Sequence, residues 1–216
     1  MSFELASGAE ARWTGRPGRR ALVCVNGGTA AAVPGTWSAS IEWLVQRLSR
    51  RFPGLGFLEV RYRVKSWQRL DLCVEDGPAA IEAARAAGAK ELALLGFSMG
   101  GAVAVRNAGA TGVELVAGVN PWLPPQLDLD PLRGRRLAIV HGALDAPLPG
   151  IPGVKPSMSD AAARRARTIG ADVERQVNPI GFHAVALRRR DGGTLALPGA
   201  ARYGDFVARE VERFCA

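Results

Sequence analysis

The sequence is poor in the residues that bind metals or build disulfides, with three cysteines (Cys24, Cys73, Cys215) and two histidines (His141, His183) among 216 residues. An odd cysteine count without paired spacing excludes a disulfide framework and a zinc site of the usual kind. No metal or organic cofactor is expected, and Cys24, inside an apolar run, reads as core. Lysine is equally scarce: Lys65, Lys90 and Lys155 are the only three among 28 basic residues, so arginine carries the net charge of +8. With abundant Ala and Gly, this bias reads as base composition rather than selection for phosphate contacts. The arginines are scattered, the densest clusters being Arg133, Arg135, Arg136 and Arg188, Arg189, Arg190. No RNA-binding or helix-turn-helix signature accompanies them, so a solvated surface is expected and no nucleic-acid partner. No window approaches the roughly 18 apolar residues that cross a bilayer. Residues 1–20 hold no apolar stretch of signal-peptide length. The expectation is a cytoplasmic, reduced setting and no membrane partner.

What is present belongs to a folded chain: 48% hydrophobic and 22% charged residues, enough for a substantial core. With no linker, repeat or low-complexity tract, a single domain over 1–216 is expected. Two periods alternate along it. Short apolar runs read as buried parallel strands at Ala21–Val25, Phe57–Tyr62, Glu91–Phe97, Val113–Val119, Arg136–His141 and Asp172–Val177. Stretches with helical spacing lie between and after them: Ile41–Phe52, Leu70–Ala87, Gly100–Ala108, Ser157–Ile169 and Asp205–Phe214. Pro78 marks either a kink in the second helix or its true start. Phe3–Ser7 and Ala11–Thr14 suggest an antiparallel hairpin at the sheet edge. The order predicts an α/β fold: a mostly parallel sheet with helices on both faces, ligands meeting it at the carboxyl ends of the strands.

Gly96-Phe97-Ser98-Met99-Gly100 fits G-x-S-x-G. The pattern alone is short, but an apolar strand runs into it and a small-residue helix runs out. Such a turn holds a serine in a strained conformation with its hydroxyl exposed. The glycines at 96 and 100 lack the Cβ atoms that would crowd it. The helix N-terminus favours negative charge nearby, which makes the Met99 N–H a natural oxyanion donor. The bland alternative is a crossover in which Ser98 merely caps the helix.

A serine at such an elbow is followed in the chain by its acid and then its base. His141 precedes the expected acid and sits at a strand end. His183, in a loop after the last predicted strand, is the expected base. Asp145, in the loop after a strand, is positioned to hold the imidazole's far N–H; Asp128 and Asp130 are the alternatives. The loop after Ala21–Val25, Asn26-Gly27-Gly28-Thr29, would supply the second oxyanion donor from the Gly28 or Thr29 N–H. A plain glycine turn would look the same.

Together Asn26-Gly27-Gly28, Gly96-Phe97-Ser98-Met99-Gly100-Gly101, His141-Gly142-Ala143-Leu144-Asp145 and Gly181-Phe182-His183 resemble the α/β-hydrolase superfamily over most of the chain. The elbow is similar to that of small esterases, thioesterases and dienelactone-hydrolase-like proteins. Many members open the oxyanion loop with His-Gly, where this chain has Asn26-Gly27. Dienelactone hydrolases use cysteine, so their substrate is not carried across. The resemblance implies a single-domain α/β-hydrolase fold and a serine hydrolase acting on a small-molecule ester or thioester. Many members insert a cap after the strand ending near Asn120; the roughly 15 residues available here are too few for a helical one. Trp122 and Leu123 are then the expected hydrophobic wall of an open site, with Trp37, Trp67 and Ile180 behind them. An acyltransferase sharing the acyl-enzyme, or a ligand-binding protein without catalysis, are the alternatives.

Overall fold

The computed structural model describes residues 1–146 and 153–216. Its strands are β1 Ser2–Glu4, β2 Glu10–Thr14, β3 Arg20–Val25, β4 Val33–Pro34, β5 Gly56–Arg61, β6 Val64–Lys65, β7 Glu91–Phe97, β8 Val113–Val119, β9 Arg136–Gly142, β10 Asp172–Asn178, β11 Ala186–Arg188 and β12 Thr194–Ala196. Its helices are α1 Ala39–Arg51, α2 Leu70–Ala86, α3 Met99–Asn107, α4 Pro156–Thr168 and α5 Ala200–Cys215. Eight strands form one sheet in the order β1-β2-β5-β3-β7-β8-β9-β10. The first two pairings are antiparallel and the five from β5 to β10 are parallel. The edge hairpin expected from the sequence is present, with β1 shorter than Phe3–Ser7 because Leu5 and Gly8 close its turn.

Alternation along each strand divides the core in two. Ala21, Val23, Leu92, Leu94, Val116 and Ile139 pack with α2, α3 and α4. Leu22, Cys24, Ala93, Leu95, Ala117 and Val140 pack with α1 and α5 on the other face. The central parallel strands β3, β7, β8 and β9 are therefore apolar on both sides and read as continuous hydrophobic runs, while the edge strand β10 is polar and mostly exposed or half-buried.

Helix α2 runs unbroken through Pro78. A proline there deprives the carbonyl four residues back of its N–H. Asn107 of α3 supplies a replacement, its Nδ2 donating to Val74 O at 3.3 Å. The preceding Gly77 makes room, since a Cβ there would collide with the Asn107 amide.

Two small elements escape a reading by periodicity. β4 pairs with β6, and β11 with β12, in antiparallel ladders of two and three residue pairs. The second has a turn signal, Asp191-Gly192-Gly193, between its strands.

Strand order reverses at β3, which has β5 on one side and β7 on the other. The carboxyl ends of β3, β7, β8 and β9 thus lie side by side at the switch point, where open α/β sheets bind ligands. Between β8 and β9 the chain forms only a one-turn helix, Asp130–Leu132, so no helical cap is inserted there. Among the described residues no helix is long and apolar enough to cross a membrane.

Candidate active site

Ser98 stands between β7 and α3 with φ 54° and ψ −122°, in a region that L-residues rarely occupy. Strain of this kind costs on the order of 1–3 kcal/mol and persists only where the surroundings over-determine it. Here they do. The Ser98 N–H donates to Val119 O at 3.1 Å, and its carbonyl accepts from Gly101 N at 2.9 Å and Trp122 N at 2.8 Å. A Cβ at Gly96 or Gly100 would run into the Gly100 or Val25 carbonyl, so the elbow closes only with glycine at both places. The Ser98 side chain makes no capping bond to α3, unlike Ser38 at the start of α1. Its hydroxyl is directed elsewhere.

That direction is His183, whose Nε2 lies 3.0 Å from Ser98 Oγ. Its Nδ1 lies 2.8 Å from Asp145 Oδ2. The Asp145 carboxylate can only accept, so Nδ1 carries the ring hydrogen and Nε2 is left to accept the serine proton. The imidazole packs against Phe97, ring centroids 5.3 Å apart. Asp145 is 3% exposed and His183 9%, while Ser98 is half-buried. Asp128 and Asp130 are exposed and engaged locally, Asp128 Oδ1 accepting from Asp130 N and Asp130 pairing with Arg133.

Asp145 has a second histidine, which sequence reasoning set aside. His141 Nε2 lies 3.1 Å from the same Oδ2 and 2.8 Å from Val154 O. Both are acceptors, so Nε2 carries the hydrogen, and the buried Nδ1 has no partner among the described residues. Val154 N donates in turn to Asp145 Oδ1 at 2.8 Å. Burial pushes the Asp145 carboxyl up, but hydrogen bonds from His141, His183 and Val154 outweigh it and hold the group below the usual carboxylate range.

The loop bearing His183 is tied down by another residue unmarked in the sequence. Asn120, fully buried at φ 46°, ends β8. Its Nδ2 lies 2.8 Å from Phe182 O and 2.6 Å from His183 O, and its Oδ1 accepts from Gly142 N at 2.7 Å. Tyr203 of α5 adds its hydroxyl at 2.7 Å from Phe182 O. One amide thus joins β8, the end of β9 and the histidine loop.

At the end of β3 the departure from His-Gly has a structural use. The buried Asn26 donates through Nδ2 to Val60 O at 2.7 Å and Thr36 O at 3.2 Å, and Tyr62 Oη donates to its carbonyl at 3.1 Å. This holds Gly27 and Gly28 against the elbow. A Cβ on Gly27 would sit 3.2 Å from Ser98 Cβ, and one on Gly28 would strike the Met99 thioether. The Thr29 side chain is held elsewhere, its single hydroxyl hydrogen shared between Ala31 O at 2.8 Å and Lys65 O at 3.1 Å. The Met99 N–H, first in α3, has no acceptor one turn back within the helix.

A cavity of about 260 Å³ opens over Ser98, lined by Trp67, Met99, Trp122, Gly153 and Val154. Trp122 stands where a hydrophobic wall was expected. Leu123 does not: only 2% exposed, it packs in the core with α3, because the Trp122 N–H bond to the elbow turns the neighbouring side chain inward. Trp37 is also elsewhere, lining a separate cleft beneath the Arg12 guanidinium, 4.4 Å from its ring. Ile180 is exposed and lines neither.

No protein-family model and no curated protein matches the sequence. Solved structures do resemble it. An α/β serine hydrolase homologue from Coxiella burnetii superposes with a TM-score of 0.71 at 17% identity, covering 98% of this chain and 96% of that one. A dienelactone hydrolase-like promiscuous phosphotriesterase from metagenomic libraries gives 0.72 at 15% identity, over 99% and 97%. An esterase from Exiguobacterium antarcticum gives 0.65 at 12% identity, over 100% and 99%. The chain has the α/β-hydrolase fold.

Proposed function

We propose that this chain is a serine hydrolase cleaving a carboxylic ester or thioester of a small molecule, with Ser98 as nucleophile, His183 as base and Asp145 as acid. The observation that carries the reading is the continuous relay from Ser98 Oγ through the His183 ring to Asp145 Oδ2, at 3.0 and 2.8 Å. A serine that merely capped α3 would have no need of it. The structural neighbours named as esterases and serine hydrolases support the same chemistry.

The geometry is compatible with acyl transfer to water in two steps. As Ser98 Oγ attacks the carbonyl carbon, its proton passes to His183 Nε2, and Asp145 stabilises the imidazolium through Nδ1. The carbonyl electron pair moves onto oxygen, facing the Met99 N–H and a Gly28 or Thr29 N–H, with Gly28 the residue that packs on Met99. One such donor is worth about 3 kcal/mol at the transition state. Collapse expels the alcohol or thiol with the proton from His183. Water, deprotonated by the same nitrogen, then releases the acid and restores the serine. The Trp67–Trp122 cavity would take the apolar part of the ester.

A fluorophosphonate probe followed by peptide mass spectrometry tests the assignment. Labelling is expected on Ser98 in the wild type and absent in Ser98→Ala, with turnover of short acyl esters lost in parallel. Equal ester turnover by both proteins would overturn it.

A further inference from the structure

Beside the Ser98 cavity lies a second cleft, of about 310 Å³, lined among others by Gly27, Trp37, Lys65, Phe97 and Arg188. It borders the nucleophile through its neighbours. Gly27 lines this cleft and lies so near Ser98 that a Cβ on it would come 3.2 Å from the serine Cβ, and Phe97, also lining the cleft, is the residue before the serine. The two hollows differ in character. Among the described residues, the first is walled by two tryptophans, a methionine and a valine, with no charged residue. The second, among the described residues, is lined by two cations and no carboxylate.

Those cations are not equivalent. Arg188 is spoken for, its guanidinium held by the Glu42 carboxylate at 2.9 and 3.0 Å. Lys65 donates to the Thr36 hydroxyl at 2.7 Å and, among the described residues, meets no carboxylate. An ammonium has three donors, so two remain for the cleft. Partial burial without a counter-ion also draws its pKa below the usual lysine value. The arrangement is built into the backbone: Lys65 is in β6, whose pairing with β4 and bond from Thr29 fix it against the glycine loop.

Resting on the proposed hydrolase reading, we infer that this cleft is a subsite for an anionic group, so that the preferred substrate is an ester carrying a carboxylate or phosphate to Lys65 and an apolar group to Trp67 and Trp122. The charge would reside in either the acyl or the leaving part, and two substrate pairs distinguish them. Phenyl hydrogen glutarate against phenyl valerate places the anion in the acyl part; 4-carboxyphenyl butyrate against phenyl butyrate places it in the leaving part.

The quantity to read is the anionic-to-neutral ratio of kcat/KM within each pair, compared between the wild type, Lys65→Met and Lys65→Arg. Comparing ratios across variants cancels the intrinsic reactivity of each ester and any general loss of active protein. In one pair the ratio is expected to fall about tenfold in Lys65→Met, chiefly through KM, as for a partly exposed charge-assisted hydrogen bond. Lys65→Arg should retain it within about twofold, and added salt should lower it. Turnover with no Lys65-dependent ratio in either pair overturns this inference alone. Absence of turnover on all four esters, with Ser98 unlabelled by the fluorophosphonate, removes the hydrolase reading and this inference with it.

Discussion

Asn120→Ala is expected to be among the most damaging single substitutions outside the reacting groups. The amide has two hydrogens and spends them on Phe182 O and His183 O, while Oδ1 accepts from Gly142 N. Alanine removes these three bonds and the 3.1 Å contact with the Tyr203 hydroxyl. Phe182 O keeps the Tyr203 hydroxyl, but His183 O and Gly142 N lose the amide in a site without solvent access at residue 120. Each orphaned buried group costs about 1–3 kcal/mol. Alanine at φ 46° adds roughly 1 kcal/mol, since asparagine tolerates that region better. The sum is on the order of 4 kcal/mol, a large share of the 5–15 kcal/mol typical of a domain. Urea unfolding followed by tryptophan fluorescence should show a lower midpoint at unchanged slope. Freed of its tether, the His183 loop should also misplace the imidazole, lowering kcat/KM of the folded fraction about 10²-fold. Tyr203→Phe is the control. It removes one hydroxyl but leaves Phe182 O bonded to Asn120, so about 1 kcal/mol is expected. If the two variants lose similar stability, or Asn120→Ala loses less than about 1 kcal/mol, the amide is not the tie described here.

Two further outcomes follow from the surroundings of Asp145. His141→Phe keeps a ring of similar size but deletes the N–H shared between Asp145 and Val154, and should cost roughly 1–2 kcal/mol of transition-state stabilisation. His141→Gln, whose amide can place an N–H near the same position, should recover most of the lost kcat/KM; equal activity in the two would show that the donor is idle. The depressed pKa of Asp145 carries a sign for stability. Its stabilising contribution is present above the unfolded value of about 4 and is lost as pH falls through the lower folded value. Urea unfolding of wild type and Asp145→Asn should therefore differ more at pH 6 than near pH 3, and an equal difference at both would contradict the assignment.

Much of this was legible because it is local. Strands buried on both faces write themselves as apolar runs, and the β7 boundaries, Glu91–Phe97, match the periodicity residue for residue. With two histidines in the chain, order alone chose His183, and the structure brings it to Ser98 and Asp145. What was not legible depends on partners far away in sequence. Helix α5 begins at Ala200, five residues before the pattern suggested, and Tyr203 lies in the missed turn. It meets Asn120 across 83 positions. Leu123 and Trp122 are adjacent and both apolar, yet one is core and the other lines the cavity, a choice made by a backbone bond to Ser98.

Charge shows the same division between what can be counted and what must be placed. The arginines read as a solvated surface, and many of them are consumed in ion pairs: Arg12 joins Glu42 and Glu59, Arg136 joins Asp172 and Glu210, Arg63 joins Glu75 and the buried Asp76. Pairs of that kind neutralise one another and leave little field to attract a ligand. A net charge of +8 therefore says little about recognition. What would attract an anion is a cation that meets no carboxylate, and among the described residues lining this cleft that cation is Lys65, one of only three lysines, held by a ladder too short for periodicity to reveal.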